Sequence, residues 1–183
     1  MITIRQINKI QKILHYKFNN IENLKNSLIH PSIFKHKQKP KLNNIYEFER
    51  LEFLGDRVLG LVVASLIFKK FNDYNEGDLS KKFSYLVQRD FLYKIALEVN
   101  LENYLIYIKN TKTKSIVQKS ILADSFESLI GAIYLDGGYS KSFTFIKRMW
   151  SPHLNELISD DVDPKSKLQE MTQKKYKKLP EYS

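Results

Sequence analysis

The sequence predicts an all-α protein. Apolar residues recur at three- and four-residue intervals along nearly the whole 183-residue chain, and no segment sustains the two-residue alternation of a half-buried strand. Polar or glycine-containing breaks fall between the periodic runs. With 43% hydrophobic and 13% aromatic residues the chain can build a core, so wholesale disorder is not expected. Its length suits one ordinary domain with a short appendage.

Ile4, Ile7, Ile10, Ile13 and Leu14 mark a first helix. A polar break at Asn19-Asn20 precedes a short helix from about Ile21 to Ile29. His30-Pro31 stops it, because a residue before proline is pushed out of the helical region. Residues 35–44 read as an exposed basic loop. The central helix runs from about Tyr46 to Phe71 and is apolar on more than one face after Asp56, the pattern of a helix buried or docked against another chain. Gly55 and Gly60 each cost it about 1 kcal/mol relative to alanine, commonly offset by a close approach of helices or chains.

Asn72 to Asp78 is a polar turn, and Leu79, Phe83, Leu86 and Val87 mark the next helix, continuing through Phe91, Ile95 and Leu97 to Leu105. Lys109 to Lys119 is a loop rich in lysine and threonine. Ser120 can cap a helix from Ile121 to Leu135 that Gly137-Gly138 ends. A further helix spans about Ser140 to Ile158. Asp160 to Pro164 reads as a linker, with Asp163 as cap and Pro164 as first residue of a last helix reaching about Tyr176.

The absence of cysteine excludes disulfides and thiolate metal sites and suits a reducing cytosol. Val58 to Phe68, the longest apolar run, falls well short of the roughly 20 residues that span a bilayer. The N-terminus has no signal-peptide apolar core. A cytoplasmic protein with no membrane partner is therefore expected. The formal charge of +10 points toward a polyanion. Lysine, however, outnumbers arginine 25 to 5, and compositional bias explains the charge equally well.

The chemistry begins with Glu49, Glu52 and Asp56, at i, i+3 and i+7, which fall within roughly 60° of one another on a helix. They sit among Leu51, Phe53, Leu54, Val58 and Leu59, where unpaired carboxylates are costly and a cation is the simplest remedy. Asp124 and Glu127 form a second pair on another apolar helix, beside Phe126, Leu129 and Ile130. Packed side by side, the two helices would present Glu52, Asp56, Asp124 and Glu127 to one point. Hard oxygen ligands of this kind suit Mg²⁺ or Mn²⁺. The same spacing also suits a solvated face paired with Arg50 and Arg57, and spacing alone does not choose. His15, His30, His36 and His153 are scattered without ligand spacing and read as surface or core residues.

Glu49-Arg-Leu-Glu-Phe-Leu-Gly-Asp56 resembles the signature of the ribonuclease III endonuclease domain. Glu76-Gly-Asp-Leu-Ser80 and Ser120-Ile-Leu-Ala-Asp-Ser-Phe-Glu127, continuing to Gly138, resemble its next two blocks in the same order. Leu28-Ile-His-Pro-Ser32 is a weaker match to its early His-x-Ser motif. The resemblance covers residues 5–158 and implies that family's helical, homodimeric fold, with an endonuclease domain at 1–158. It implies that Glu52, Asp56, Asp124 and Glu127 hold Mg²⁺, with Mn²⁺ as a substitute, and that Asp56 and Glu127 are catalytic, Glu127 most directly. Glu49 and Glu76 match accessory acids, and Phe53 matches an aromatic that enters a cavity on the partner subunit.

After a linker at 159–163, residues 164–183 resemble the first helix of a double-stranded-RNA-binding domain, incomplete in this chain. Gln169 and Gln173 would approach the RNA minor groove. The activity implied is metal-dependent hydrolysis of double-stranded RNA in RNA processing, leaving 5′-phosphate and 3′-hydroxyl ends with short 3′ overhangs. The competing reading is a non-catalytic duplex-RNA-binding or ribosome-associated protein on the same fold. Arg57, beside Asp56, could pair with a carboxylate or a phosphate or point outward.

Overall fold

A computed structural model describes residues 2–34, 42–108 and 116–161, with the side chains of 42–45, 116–117 and 158–161 excepted. Six α-helices follow in order: α1 Ile4–Leu14, α2 Ile21–Ser27, α3 Leu42–Lys70, α4 Glu76–Val87, α5 Arg89–Glu98 and α6 Ile116–Asp161. Short 3₁₀ turns at Pro31–Phe34 and Leu101–Asn103 complete the described elements. One isolated parallel bridge, Ile29 with Ile106, is the single β pairing among them. The all-α expectation is met.

Side-chain caps explain several of the starts. Thr3 forms a reciprocal capping box with Gln6 at α1, and the Asn20 and Asn75 side chains accept backbone N–H groups at α2 and α4. Four boundaries differ from those read in the sequence. Helix α3 begins at Leu42, before Tyr46. Helix α4 begins at Glu76, three residues ahead of Leu79, because Asn75 caps it there. The run through Leu105 is broken at Gln88, whose extended backbone (ψ 153°) separates α4 from α5, and α5 ends at Glu98. Helix α6 begins at Ile116, so Ser120 lies inside it and is not its cap. Hydrophobic spacing cannot register such breaks, since the apolar stripe continues in phase across a one-residue kink.

The expected stop at Gly137-Gly138 is present. Gly138 has a φ of 71°, the left-handed backbone that glycine adopts without penalty, and it divides α6 into two helical stretches. Beside it, the Asp136 carboxylate accepts the Tyr16 hydroxyl at 2.7 Å and the Asn19 and Asn20 amides at 2.9 and 2.7 Å. Burial alone would raise its pKa, but these bonds outweigh it and hold Asp136 below the usual carboxylate range. They fasten the loop between α1 and α2 to α6.

Two compact units divide the chain, Met1–Lys147 and Arg148–Ser183. In the first, the inward face of α3 (Phe48, Leu51, Val58, Leu59, Val62, Val63) and that of α6 (Leu122, Phe126, Leu129, Ile130, Ile133) are buried. The remaining face of α3 leaves Phe53, Leu61 and Phe68 exposed, which accounts for its apolar character on more than one side. In the second unit Trp150, His153 and Leu154 are buried on one helical face, and His153 Nδ1 lies 3.3 Å from Glu156. The helical backbone runs through Asp161, across the first residues read as linker. Residues 162–183, with Gln169 and Gln173, lie outside the described residues.

The early motif proves structural. His30 Nδ1 accepts the Ser32 amide at 3.1 Å, the Ser32 hydroxyl accepts the Ile108 amide at 3.2 Å, and the His30 ring meets Phe48 edge-on. Together they staple the Pro31–Phe34 turn to residues 106–108.

Candidate metal centre

Helices α3 and α6 cross where each carries a glycine. A Cβ on Gly55 would stand 2.6 Å from the Glu127 carbonyl carbon, and one on Gly131 would stand 2.9 Å from that of Leu51. Ordinary carbon contacts need about 3.5–4.0 Å, so only glycine at both positions lets the backbones meet. Gly60 differs: its Cβ would find the Phe83 ring at 3.6 Å, an ordinary contact. The close approach expected of the two glycines thus holds for Gly55, while its true counterpart, Gly131, carried no signal beyond its place four residues after Glu127. A hydrogen bond from the Ser128 hydroxyl to the Phe48 carbonyl, 3.4 Å, spans the same junction.

The crossing carries the acids. Glu52 stands one turn before Gly55, and Glu127 one turn before Gly131. Carboxylate oxygens of Glu52, Asp124 and Glu127 all lie within 4.8 Å of one another, on half-buried side chains. None of the three is in an ion pair with a described residue. Ser120, displaced from its expected capping role, instead donates its hydroxyl to Asp124 at 3.1 Å.

Like charges crowded in a half-buried site resist ionisation. Burial, then Asp124, Glu49 and Asp56, push Glu52 from 4.5 up to about 7, against a smaller opposing pull from Arg89. Burial, then Asp56, Asp124 and Glu52, push Glu127 from 4.5 up to about 8, again with Arg89 opposing. Burial raises Asp124 too, while the Ser120 hydrogen bond and Arg89 oppose the rise. Oxygens sharing one Mg²⁺ lie at most about 4.2 Å apart, given bonds of about 2.1 Å. Three hard oxygen donors at this spacing, unpaired and mutually repelling, fit such an ion after small side-chain rotations.

Asp56, the fourth expected ligand, is not within this group of three. Its carboxylate, 43% exposed, is taken by the adjacent Arg57 guanidinium, which also stands 5.3 Å over the Phe53 ring. Asp56 nevertheless exerts the largest charge effect on Glu127, so it borders the cluster. Glu49 is exposed on the rim and acts on Glu52. Glu76 opens α4, where its carboxylate accepts the Ser80 hydroxyl at 2.8 Å, outside the three-carboxylate group. Phe53 is 65% exposed. Phe53 itself lines a depression of about 460 Å³, together with residues that include Tyr46, Glu49, Arg50, Leu51, Leu54 and Leu135.

The chain as a whole has known relatives. Residues 20–154 match the family model described as ribonuclease-III-like. The chain belongs to the ribonuclease III family. It is 38% identical to Ribonuclease 3 of Pelagibacter ubique, over 95% of this chain and 74% of that protein. A crystal structure of the ribonuclease III nuclease domain from Campylobacter jejuni superposes with a TM-score of 0.65 at 34% identity, covering 82% of this chain and 97% of that one. A second structure of that domain, described for flexibility in a region involved in dimer formation, gives 0.63 at 36% identity, over 78% and 94%. The activity class of the ribonuclease III family, endoribonuclease, is accordingly that of this chain.

Proposed function

We propose that the chain is a homodimeric, Mg²⁺-dependent endoribonuclease of the cytoplasm that cuts both strands of duplex RNA. The observation that carries this reading is the meeting of Glu52, Asp124 and Glu127 within 4.8 Å across the glycine crossing. These three would hold the ion, and Asp56 would join them by releasing Arg57. When bound, a divalent cation supplies a Lewis acid for phosphoryl oxygens and acidifies water for attack on phosphorus. The chain's own part is to hold the ligands rigidly on two helices and to release protons from Glu52 and Glu127 as they take up charge. By its match to the family motif, Glu127 is the acid tied most directly to cleavage.

The dimer rests on Phe53. An exposed aromatic on the wall of a depression of about 460 Å³ would suit a two-fold pairing in which each ring enters the other protomer's depression. The related Campylobacter domain, with its region involved in dimer formation, supports that reading. Two centres would then face one A-form duplex, recognised by shape and 2′-hydroxyls, and cut opposite strands at an offset. No helix among the described residues is long and apolar enough to cross a membrane. The deciding experiment is cleavage of a defined RNA duplex with and without Mg²⁺, with both ends mapped. Staggered 5′-phosphate products support the proposal, and duplex binding without cutting at any metal concentration refutes it.

A further inference from the structure

Arg89 is the first residue of α5 and is exposed. Its neighbour Asp90 pairs with Lys119 at 2.7 Å, and Lys119 adjoins Ser120, which donates to Asp124. The start of α5 is thereby tied to the turn of α6 that carries the acids. Among the described residues, Arg57 holds Asp56 and covers Phe53, and Arg50 holds Glu47 at 3.1 Å. Arg89 makes no hydrogen bond, ion pair or ring contact with any described residue, yet its charge reaches Glu52, Asp124 and Glu127 alike. A guanidinium at a helix start that Asp90 ties to the acid-bearing turn of α6, itself bonded to no described residue, is available to an incoming ligand.

We infer that Arg89 binds a backbone phosphate of the RNA beside the carboxylate cluster and sets where the scissile strand lies. A cluster of acids repels the phosphate it must receive, and an adjacent cation offsets that repulsion. Arginine suits the task because its planar fork meets two phosphate oxygens at once. The inference rests on the reading of the cluster as a metal centre at which RNA is cut. It carries a signature that a structural role lacks: the same charge that draws phosphate in also opposes a divalent cation at the cluster, so its removal must move the two affinities in opposite directions.

The test compares the full chain with Arg89→Gln and Arg89→Lys. Mn²⁺ binding is measured by calorimetry without RNA, and binding of a labelled RNA duplex by anisotropy in EDTA. Arg89→Gln is expected to bind Mn²⁺ several-fold tighter, to bind duplex about tenfold more weakly, and to lower the salt slope of duplex binding by about 1. Arg89→Lys should restore the metal affinity fully and the duplex affinity only in part. Unchanged duplex binding by Arg89→Gln, or metal binding that weakens, overturns the assignment. Failure of the unsubstituted protein to bind Mn²⁺ would instead overturn the metal-centre reading, and the duplex measurement in EDTA would still judge Arg89 separately.

Discussion

Gly55→Ala tests the physical basis of the site most directly. The added methyl would lie 2.6 Å from the Glu127 carbonyl carbon and 2.9 Å from the Gly131 nitrogen, both backbone atoms that cannot rotate away. Reaching an ordinary contact of about 3.5 Å requires α6 to retreat by roughly 1 Å. Overpacking costs about 1–3 kcal/mol, and contacts with backbone atoms put this case at the upper end. Set against a gain of about 1 kcal/mol in helix propensity, the net loss is up to roughly 2 kcal/mol. The carboxylate oxygens, now within 4.8 Å, would spread further beyond the ~4.2 Å that one Mg²⁺ can bridge. Gly60→Ala is the control: its methyl meets only the Phe83 ring at 3.6 Å, so it should be neutral or stabilising by up to about 1 kcal/mol. Urea denaturation and Mn²⁺ calorimetry of both variants decide the matter. Equal stability and equal metal affinity for the two would refute the glycine crossing as the element that assembles the site.

Glu127→Gln should abolish cutting while leaving duplex binding within about twofold, and retained cleavage would remove Glu127 from its proposed role. The pH dependence of metal-free stability follows from linkage. Glu52 and Glu127 titrate higher in the fold (about 7 and 8) than at their ordinary 4.5, so the native state holds protons that the unfolded chain releases. Stability is therefore greatest below about pH 4.5 as far as these groups are concerned, and it declines as pH rises through 8. At about 1.36 kcal/mol per unit, discounted for half-exposed groups, the loss is on the order of 2 kcal/mol. Thermal melting across that range with and without Mg²⁺ checks it, and a metal-free stability that rises with pH contradicts the carboxylate clustering. Phe53→Ala should weaken the dimer by about 2–4 kcal/mol, as for loss of a buried anchor, with unchanged sedimentation counting against the ring as anchor. Asp136→Ala, which strips an ionised acceptor from Tyr16, Asn19 and Asn20, should cost about 3 kcal/mol in denaturant melts; a loss below about 1 kcal/mol would make that fastening ornamental.

Helical character, the order of the helices and the stop at Gly138 were legible because they depend on near neighbours: apolar residues every three or four positions, and a backbone that only glycine takes easily. The same periodicity placed Glu52 with Asp56 on one helix and Asp124 with Glu127 on another. The family motifs marked which residues to watch. Distances between elements were decided in three dimensions. That Glu52, Asp124 and Glu127 close to within 4.8 Å depends on Gly131 meeting Gly55, a pairing of positions 76 residues apart. Asp56 turned to Arg57, and Ser120 left its capping position for Asp124, because each took the polar partner that the folded backbone offered. The start of α5, which carries Arg89, is held beside the acid-bearing turn of α6 because Gln88 breaks the chain between α4 and α5 and Asp90 pairs with Lys119. Local spacing governs which face a side chain occupies. Which faces meet, and how closely, depends on the atoms at the crossing, and one methyl group there is enough to change it.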